Sequence, residues 1–153
     1  MDGRIERQLQ AMGLELPMLP SSKGIYRPCR SVGKQVYVSG HVSLRTDGSF
    51  ITGKLGADLD VAQGQWAARQ CGLAMLVSLR EHLGDLDLVK GVLKLFGMVN
   101  ATPDFQQHAV VINGCSELFA TLWGPDGIGV RSAVGMGSLP GSTAVEIEGI
   151  FEI

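Results

Sequence analysis

The chain has 153 residues, of which 45% are hydrophobic and 18% charged, with a formal net charge of −2 at pH 7. That length fits one compact domain, and the scattered Lys and Arg residues form no basic run that could neutralise successive nucleic-acid phosphates, so no nucleic-acid partner is expected. Three cysteines without a CxxC pair provide neither a disulfide framework nor a thiolate metal site. No apolar run reaches the ~20 residues that span a bilayer and no signal-peptide pattern is present, so we expect a soluble, cytoplasmic protein.

The N-terminal half predicts a helix, a strand pair and a second helix. Residues 3–13 have amphipathic helical spacing, and prolines and turn-forming residues then complete an N-terminal arm over residues 1–23. The segments GIYRPCRSVG and QVYVSGHVSL are rich in β-formers and are separated by Gly33-Lys34, which predicts a hairpin turn. From Val61 to Leu83 apolar residues recur at helical spacing, between a capping Asp60 and a terminating Gly84.

The C-terminal half predicts a strand, a third helix and two further strands. The stretch LVKGVLKLFGMVN is short, apolar and β-rich, which favours a buried strand. Thr102 is the N-cap candidate of the next helix, with Pro103 at its first position and Gly124-Pro125 at its end. The chain closes with GVRSAVGMGS and TAVEIEGIFEI, two strand-like segments that a Pro140-Gly141 turn would join as a hairpin.

This order of elements predicts an α+β fold in which two long helices pack on one face of a mixed β-sheet. The opposite face of the sheet then needs cover, and in a chain of this size the cover would come from another subunit. An antiparallel sheet can also leave one face in water, so the order of elements permits both arrangements.

Charged residues interrupt the apolar pattern of the last two strands. Arg131 lies in a β-like segment, and Glu146 and Glu148 share one face of the final strand because side chains alternate. A buried guanidinium is costly unless it is paired, and its planar fork matches a carboxylate from Glu146 or from a ligand. A solvated strand face explains the same pattern, and only the strand register distinguishes the two. Gly135 and Gly137 would leave the space that a pocket requires.

The segment VRSAVGMGSLPGSTAVEIE resembles the signature of the Rid (reactive intermediate deaminase) family, also called YjgF-like and often labelled endoribonuclease L-PSP. In that signature an Arg and a small residue precede a Leu-Pro turn and an Ile/Val-Glu-Ile/Met strand. The resemblance extends over residues 24–153 as a single Rid-like domain, including the Tyr of GIY, the Ser-Gly of YVSGH and the helix with VING. It implies a homotrimer with a chorismate-mutase-like fold and pockets between subunits.

The resemblance also implies roles for individual residues. Arg131 would bind the substrate carboxylate, and Glu146 would position or activate the water that attacks the imine carbon. Tyr26 and Ser39 would line the pocket, with Asn113 as a nearby polar support. The implied reaction is hydrolysis of 2-iminobutanoate or 2-iminopropanoate to the 2-oxo acid and ammonia, without a metal or organic cofactor. A carboxylate shielded from water can acquire the raised pKa that proton transfer near neutrality requires.

Three positions depart from the family pattern. Gly129 replaces a Pro or Ala, Ala133 stands where many deaminases have Cys, and His41 follows Ser-Gly where Gln is common. A divergent branch is therefore indicated, and a non-catalytic protein that binds or senses a small carboxylate metabolite through Arg131 is an alternative prediction. Ribonuclease activity is a third, against which the acidic balance and the lack of a basic aromatic groove weigh.

The three histidines have structural as well as functional explanations. His41 could act as a pocket acid or base, but a lone His at the end of a strand is more often a structural hydrogen-bonding residue. His82 and His108 lie in different predicted helices without metal-ligand spacing, so no metal site is predicted.

Four helical residues also have structural explanations. Cys71 and Cys115 fall on apolar helical arcs, which favours core packing over reactivity. Asn113 and Gly114 are weak helix formers in the middle of a strong helix, which indicates either a polar contact or close helix packing.

Overall fold

The computed structural model describes residues 3–153 and contains a single β-sheet layered with helices. Its strands are β1 (Cys29–Val32), β2 (Gln35–Val42), β3 (Gly91–Asn100), β4 (Val130–Met136) and β5 (Val145–Glu152). Its α-helices are α1 (Arg4–Ala11), α2 (Val61–Leu83) and α3 (His108–Trp123), with 3-10 turns at Leu86–Leu88, Gly124–Gly127 and Pro140–Ser142. The strand order is β1-β2-β5-β3-β4, in which only the β3–β4 pair is parallel. The predicted mixed α+β fold is confirmed.

The two long helices cover one face of the sheet and leave the other open. Helix α2 packs over β2 and β5, and α3 packs over β3 and β4. On β5, Val145, Ile147 and Phe151 are fully buried beneath the helices. The alternating residues Glu146 and Glu148 therefore belong to the opposite side, which we call the open face of the sheet.

The predicted limits of α2 are confirmed. The Asp60 carboxylate accepts a hydrogen bond from the Gln63 backbone N–H at 2.8 Å, which caps the first turn. Gly84 ends the helix in a left-handed conformation with φ of 83°, which a glycine adopts without a steric penalty.

The hairpin turn at Gly33-Lys34 is also confirmed, whereas the strand before it is shorter than predicted. Val32 pairs with Gln35 across the turn, and Gly33 has a φ of 59°. The strand begins only at Cys29, after Pro28, which has no N–H to donate to a sheet. Tyr26 consequently lies in an exposed segment ahead of β1.

The predicted start of the third helix is wrong. Helix α3 begins at His108, and Thr102 accepts a hydrogen bond at its carbonyl from the Phe105 N–H, which closes a separate turn containing Pro103. The Thr102 N–H donates to Leu55, so the backbone here is extended and tied to a loop distant in sequence. This tertiary bridge prevails over the local helix-start pattern, and the Thr102 hydroxyl makes no cap.

The predicted hairpin between the last two strands is wrong as well. Strand β3 lies between β4 and β5, pairing parallel with the first and antiparallel with the second. A two-residue turn would join neighbouring strands, but the connection over residues 137–144 is long enough to pass one strand. Arg131 is therefore opposite Leu95 on β3, and Glu146 is opposite Met98.

Helix α1 is anchored to the rest of the fold. Ile5 and Leu9 are buried in the same core as the sheet, and the Asp87 carboxylate accepts hydrogen bonds from the N–H groups of Arg4 and Ile5. Residues 1 and 2 of the predicted arm lie outside the described residues, and the division of the chain at residue 23 stays a prediction. None of the helices within residues 3–153 combines the length and apolar character that crossing a membrane requires.

Candidate functional site

Arg131 lies on the helix side of the edge strand β4, against α3. Its guanidinium donates to the Asn113 side-chain oxygen at 2.8 Å, the Ser116 hydroxyl at 3.0 Å and the Ala109 carbonyl at 3.2 Å. All three acceptors are neutral, and among the described residues no carboxylate lies within 4.0 Å of the guanidinium. Arg131 lies in a β-strand as predicted, and helix α3 orients its side chain without neutralising its charge.

Asn113 lies in the second turn of α3, and its side-chain oxygen accepts the hydrogen bond that holds Arg131 in place. Its neighbour Gly114 faces the other long helix, where an added Cβ would collide with the backbone of Gln65 on α2. Of the two explanations for this weakly helical pair, the polar contact therefore applies to Asn113 and the close helix packing applies to Gly114. Ser116 and the Ala109 carbonyl were missed by sequence reasoning, since nothing in the local pattern relates them to a residue fifteen or more positions away.

Glu146 lies on the open face of the sheet, beside Gly40 of β2. A Cβ on Gly40 would come 2.6 Å from the Glu146 Oε2 atom, so only a glycine lets the carboxylate approach β2 this closely. Burial, together with the charge of Glu148, raises the pKa of the Glu146 carboxyl. Within residues 3–153 no hydrogen bond or ion pair reaches this carboxylate, which suits a group that exchanges a proton with water.

Ser39 and the segment carrying Tyr26 lie together at the edge of this same site. The Ser39 hydroxyl donates to the Arg27 carbonyl at 2.6 Å, and its N–H donates to the Pro28 carbonyl at 2.9 Å. These bonds hold Arg27 and Pro28, the residues after Tyr26, alongside β2. The Tyr26 ring is 54% exposed and thus free to contact a ligand or another chain.

The predicted site residues form two groups on opposite faces of the sheet. Arg131 and Asn113 lie on the helix face at the β4 edge, whereas Glu146 and Ser39 lie on the open face. A single chain does not bring its Arg131 and its Glu146 to one ligand.

The open face carries a groove of about 320 Å³ whose lining includes Ser39 and Glu148. Three cationic side chains also line it: Arg27, Arg30 and Lys94. Large apolar side chains are exposed nearby, including Tyr37, Val130 and Val134. Exposed apolar side chains grouped in this way are typical of a surface that contacts another molecule.

The remaining candidates are structural. Cys71 and Cys115 are fully buried, and burial raises the pKa of both thiols, so their predicted packing role is confirmed. No group of three or more His, Cys, Asp or Glu side chains in the described part of the chain is arranged to hold a metal ion. His108 packs edge-on against Phe105 and touches Gly135 of β4, close to the Arg131 side of the strand.

Comparison with known proteins gives a family match over most of the chain. Residues 6–143 match the family model described as "YjgF/chorismate mutase-like, putative endoribonuclease". Protein TCP17 of Trypanosoma cruzi is 39% identical over 152 residues, which cover 99% of this chain and 95% of that protein.

Two solved structures show the same architecture. The Agrobacterium tumefaciens protein Atu1372, whose function is unknown, is 40% identical with a TM-score of 0.89, covering 97% of this chain and 92% of that one. The TdcF protein of E. coli, solved with bound serine, has a TM-score of 0.62 at 21% identity, covering 88% and 93% of the two chains. The second likeness concerns the fold alone.

Proposed function

Because this chain belongs to the YjgF/chorismate mutase-like family, which includes the Rid proteins, we propose that it hydrolyses small 2-imino acids to 2-oxo acids and ammonia in pockets between the subunits of a homotrimer. The observation that carries the proposal is the placement of Arg131 and Glu146, two charged groups without charged partners, on opposite faces of the same sheet. The fold relative TdcF binds serine, a small molecule with one carboxylate.

The proposal assigns the substrate carboxylate to Arg131. The guanidinium has five N–H donors, of which three bond to neutral oxygens, so two remain for a ligand. A carboxylate bound there gains charge-assisted hydrogen bonds and neutralises a cation that the protein itself leaves unpaired. Asn113 and Ser116 keep the guanidinium in one orientation, which lowers the entropic cost of binding a ligand.

The proposal assigns water activation to Glu146 of a neighbouring subunit. The carboxylate takes a proton from water as the oxygen attacks C2 of the protonated imine, forming a C–O bond and a neutral tetrahedral carbinolamine. Glu146 then returns this proton to the nitrogen. As the C–N bond breaks and ammonia leaves, the carboxylate takes the proton of the carbinolamine hydroxyl, so that the 2-oxo group forms. A carboxyl whose pKa is raised by burial is better matched to these transfers near neutral pH than an ordinary Glu.

The proposal also assigns Tyr26 and Ser39 to the pocket wall. Ser39 lies on the Glu146 side of the sheet, and its hydroxyl donates to the carbonyl of Arg27, the residue that follows Tyr26. A second copy that brought its β4 edge to this side would add its own Arg131 and Asn113. No step of this mechanism passes through a metal or an organic cofactor.

The test is ammonia-coupled hydrolysis of freshly generated 2-iminobutanoate and 2-iminopropanoate. Wild type is expected to accelerate both reactions, Glu146→Gln to lower kcat by roughly 10²–10⁴-fold, and Arg131→Ala to raise KM by roughly 10–100-fold. Lys34→Ala, which removes one cation from the β1–β2 turn, serves as the matched control and should behave as wild type. No acceleration by folded wild-type protein would reject the deaminase.

A non-catalytic binding or regulatory protein is the second candidate, and Ala133 favours it. This side chain lies two positions from Arg131 on the same face of β4, so the pocket has no thiol where many Rid deaminases have one. In that case 2-oxobutanoate would bind by calorimetry, Arg131→Ala would abolish the heat of binding, and no imine would be hydrolysed.

A further inference from the structure

Strand β2 contains a bulge next to Glu146. Val38 pairs with Gly149 of β5, but the next pair joins His41 to Ile147, so β2 advances three residues while β5 advances two. One extra residue reverses the alternation of side chains beyond it. His41 thereby turns to the helix face of the sheet, whereas an unbulged strand would put it on the open face with Ser39.

Both ring nitrogens of His41 are engaged at this position. Nδ1 lies 2.6 Å from the Ser39 carbonyl oxygen and Nε2 lies 2.7 Å from the Ser78 hydroxyl on α2. A carbonyl only accepts, so Nδ1 carries the proton and Nε2 of the neutral ring accepts from Ser78. Burial lowers the pKa of His41, and no charged group contributes to that shift. A neutral ring whose two nitrogens are both hydrogen-bonded within the protein is not available as the pocket acid or base.

The bulge connects this histidine to the carboxylate on the other face. The Ser39 carbonyl that His41 holds belongs to the bulge, and Gly40 is the residue against which the Glu146 Oε2 atom packs. Ser78 is only 2% exposed and lies in the C-terminal third of α2, so the packed helix holds its hydroxyl in place. A continuous series of contacts therefore runs from Ser78 through His41 to the bulge at Ser39 and Gly40, and from there to the Glu146 carboxylate.

We propose that His41 is a positioning residue that fixes the β2 bulge and so sets the location of the Glu146 carboxylate for the reaction. This inference rests on the proposed function. It assigns a role to a position at which this chain departs from the Gln that is common in the family. Gln offers an amide N–H for the Ser39 carbonyl and an amide oxygen for the Ser78 hydroxyl, so it can make both bonds. Leu fills a similar volume and makes neither.

The first experiment measures the pKa of Glu146 by NMR titration of its side-chain carboxyl carbon in wild type, His41→Gln and His41→Leu. We expect His41→Leu to move this pKa towards the ordinary value, because a relaxed bulge admits water to the carboxylate, and His41→Gln to keep the wild-type value. Ser78→Ala, which removes only the hydroxyl that bonds to His41, should shift the pKa of Glu146 in the same direction as His41→Leu. An unchanged pKa in both His41→Leu and Ser78→Ala would overturn the proposal, whether or not the protein is an enzyme.

The second experiment follows imine hydrolysis by the same variants. His41→Leu is expected to lower kcat by about 10–100-fold, with KM changed less than about threefold, since a misplacement near 1 Å can cost that much in rate. His41→Gln should restore kcat to within about threefold of wild type, and His41→Leu should reduce the activity of Glu146→Gln no further. If Glu146→Gln is inactive while His41→Leu has wild-type kcat, the positioning role is wrong and the deaminase stands. If Glu146→Gln is fully active, the proposed mechanism itself is wrong.

Discussion

At the scale of single residues, two neighbours in sequence can contact different parts of the fold, and the pattern of residue types does not reveal which contact each one makes. Asn113 and Gly114 are both poor helix formers, yet one bonds to Arg131 on β4 and the other lies against the backbone of Gln65 on α2. The physical reason is that adjacent helical positions point about 100° apart, so they meet different elements.

We predict that Gly114→Ala destabilises the protein by about 1–3 kcal/mol, because the added Cβ forces α2 and α3 apart in a well-packed contact. Urea denaturation measures the loss. Gly137→Ala is the control, since a Cβ at that position meets no atom within 4 Å. Equal stabilities for the two variants would contradict the close contact between the helices.

We also predict a pH dependence of stability from His41. Its folded pKa is lowered from the usual 6.5, so the unfolded chain takes up a proton more readily than the folded protein. This contribution to stability is fully present above pH 6.5 and is lost as the pH falls below that value. The urea midpoint of wild type should therefore drop more between pH 7.5 and pH 5.5 than that of His41→Gln. Parallel changes in the two proteins would show that the ring is not buried as a neutral group.

At the scale of elements, long-range contacts determine where several segments begin and what they pair with. The Thr102-Pro103 pattern is a sound helix start by local criteria, but the bridge from Leu55 holds this backbone extended and delays α3 to His108. Similarly, β4 and β5 are consecutive in sequence, but β3 separates them in the sheet. Helix α1 depends on Asp87, a residue more than eighty positions away, to satisfy its first N–H groups.

We predict that Asp87→Ala loosens α1 from the core. Loss of a cap of this kind costs roughly 0.5–2 kcal/mol, and the two N–H groups it serves have no alternative partner in the first helical turn. Hydrogen exchange of the α1 amides should accelerate while the amides of β3 and β5 exchange as before. Glu117→Ala, which removes an exposed carboxylate from α3, is the control. Unaltered exchange in α1 would mean that Ile5 and Leu9 anchor the helix without Asp87.

At the scale of the whole molecule, the sheet has one face covered by its own helices and one face with exposed apolar side chains. The two halves of the proposed site lie on these different faces. Association would therefore cover apolar surface and assemble the pocket in a single event. Activity should then depend on protein concentration when it approaches the dissociation constant of the assembly.

We predict that Val130→Glu dissociates the proposed homotrimer. Val130 is 71% exposed in the single chain and pairs with Lys94 at the β4 edge of the open face, where a buried carboxylate would be costly. Light scattering coupled to size exclusion should show the mass falling from three times 16.3 kDa to a single chain. Leu88→Glu, at an exposed apolar residue in the 3-10 turn beside α1, should remain trimeric. A wild-type monomer, or a trimeric Val130→Glu variant, would contradict the assembly.

Sequence by itself was sufficient for the features that depend on local chemistry. Asp60 and Gly84 delimit α2, Gly33 turns the β1–β2 hairpin, and the pattern from Arg131 to Glu146 identifies the family, because capping, positive φ and a short motif involve residues near in sequence. Only the tertiary structure decided the strand order, the start of α3, and the separation of Arg131 from Glu146 by the sheet. It also revealed Ser78 as the partner of His41. These features arise from pairing and burial between distant segments, whose energies depend on which surfaces meet, and no window of local residue types contains that information.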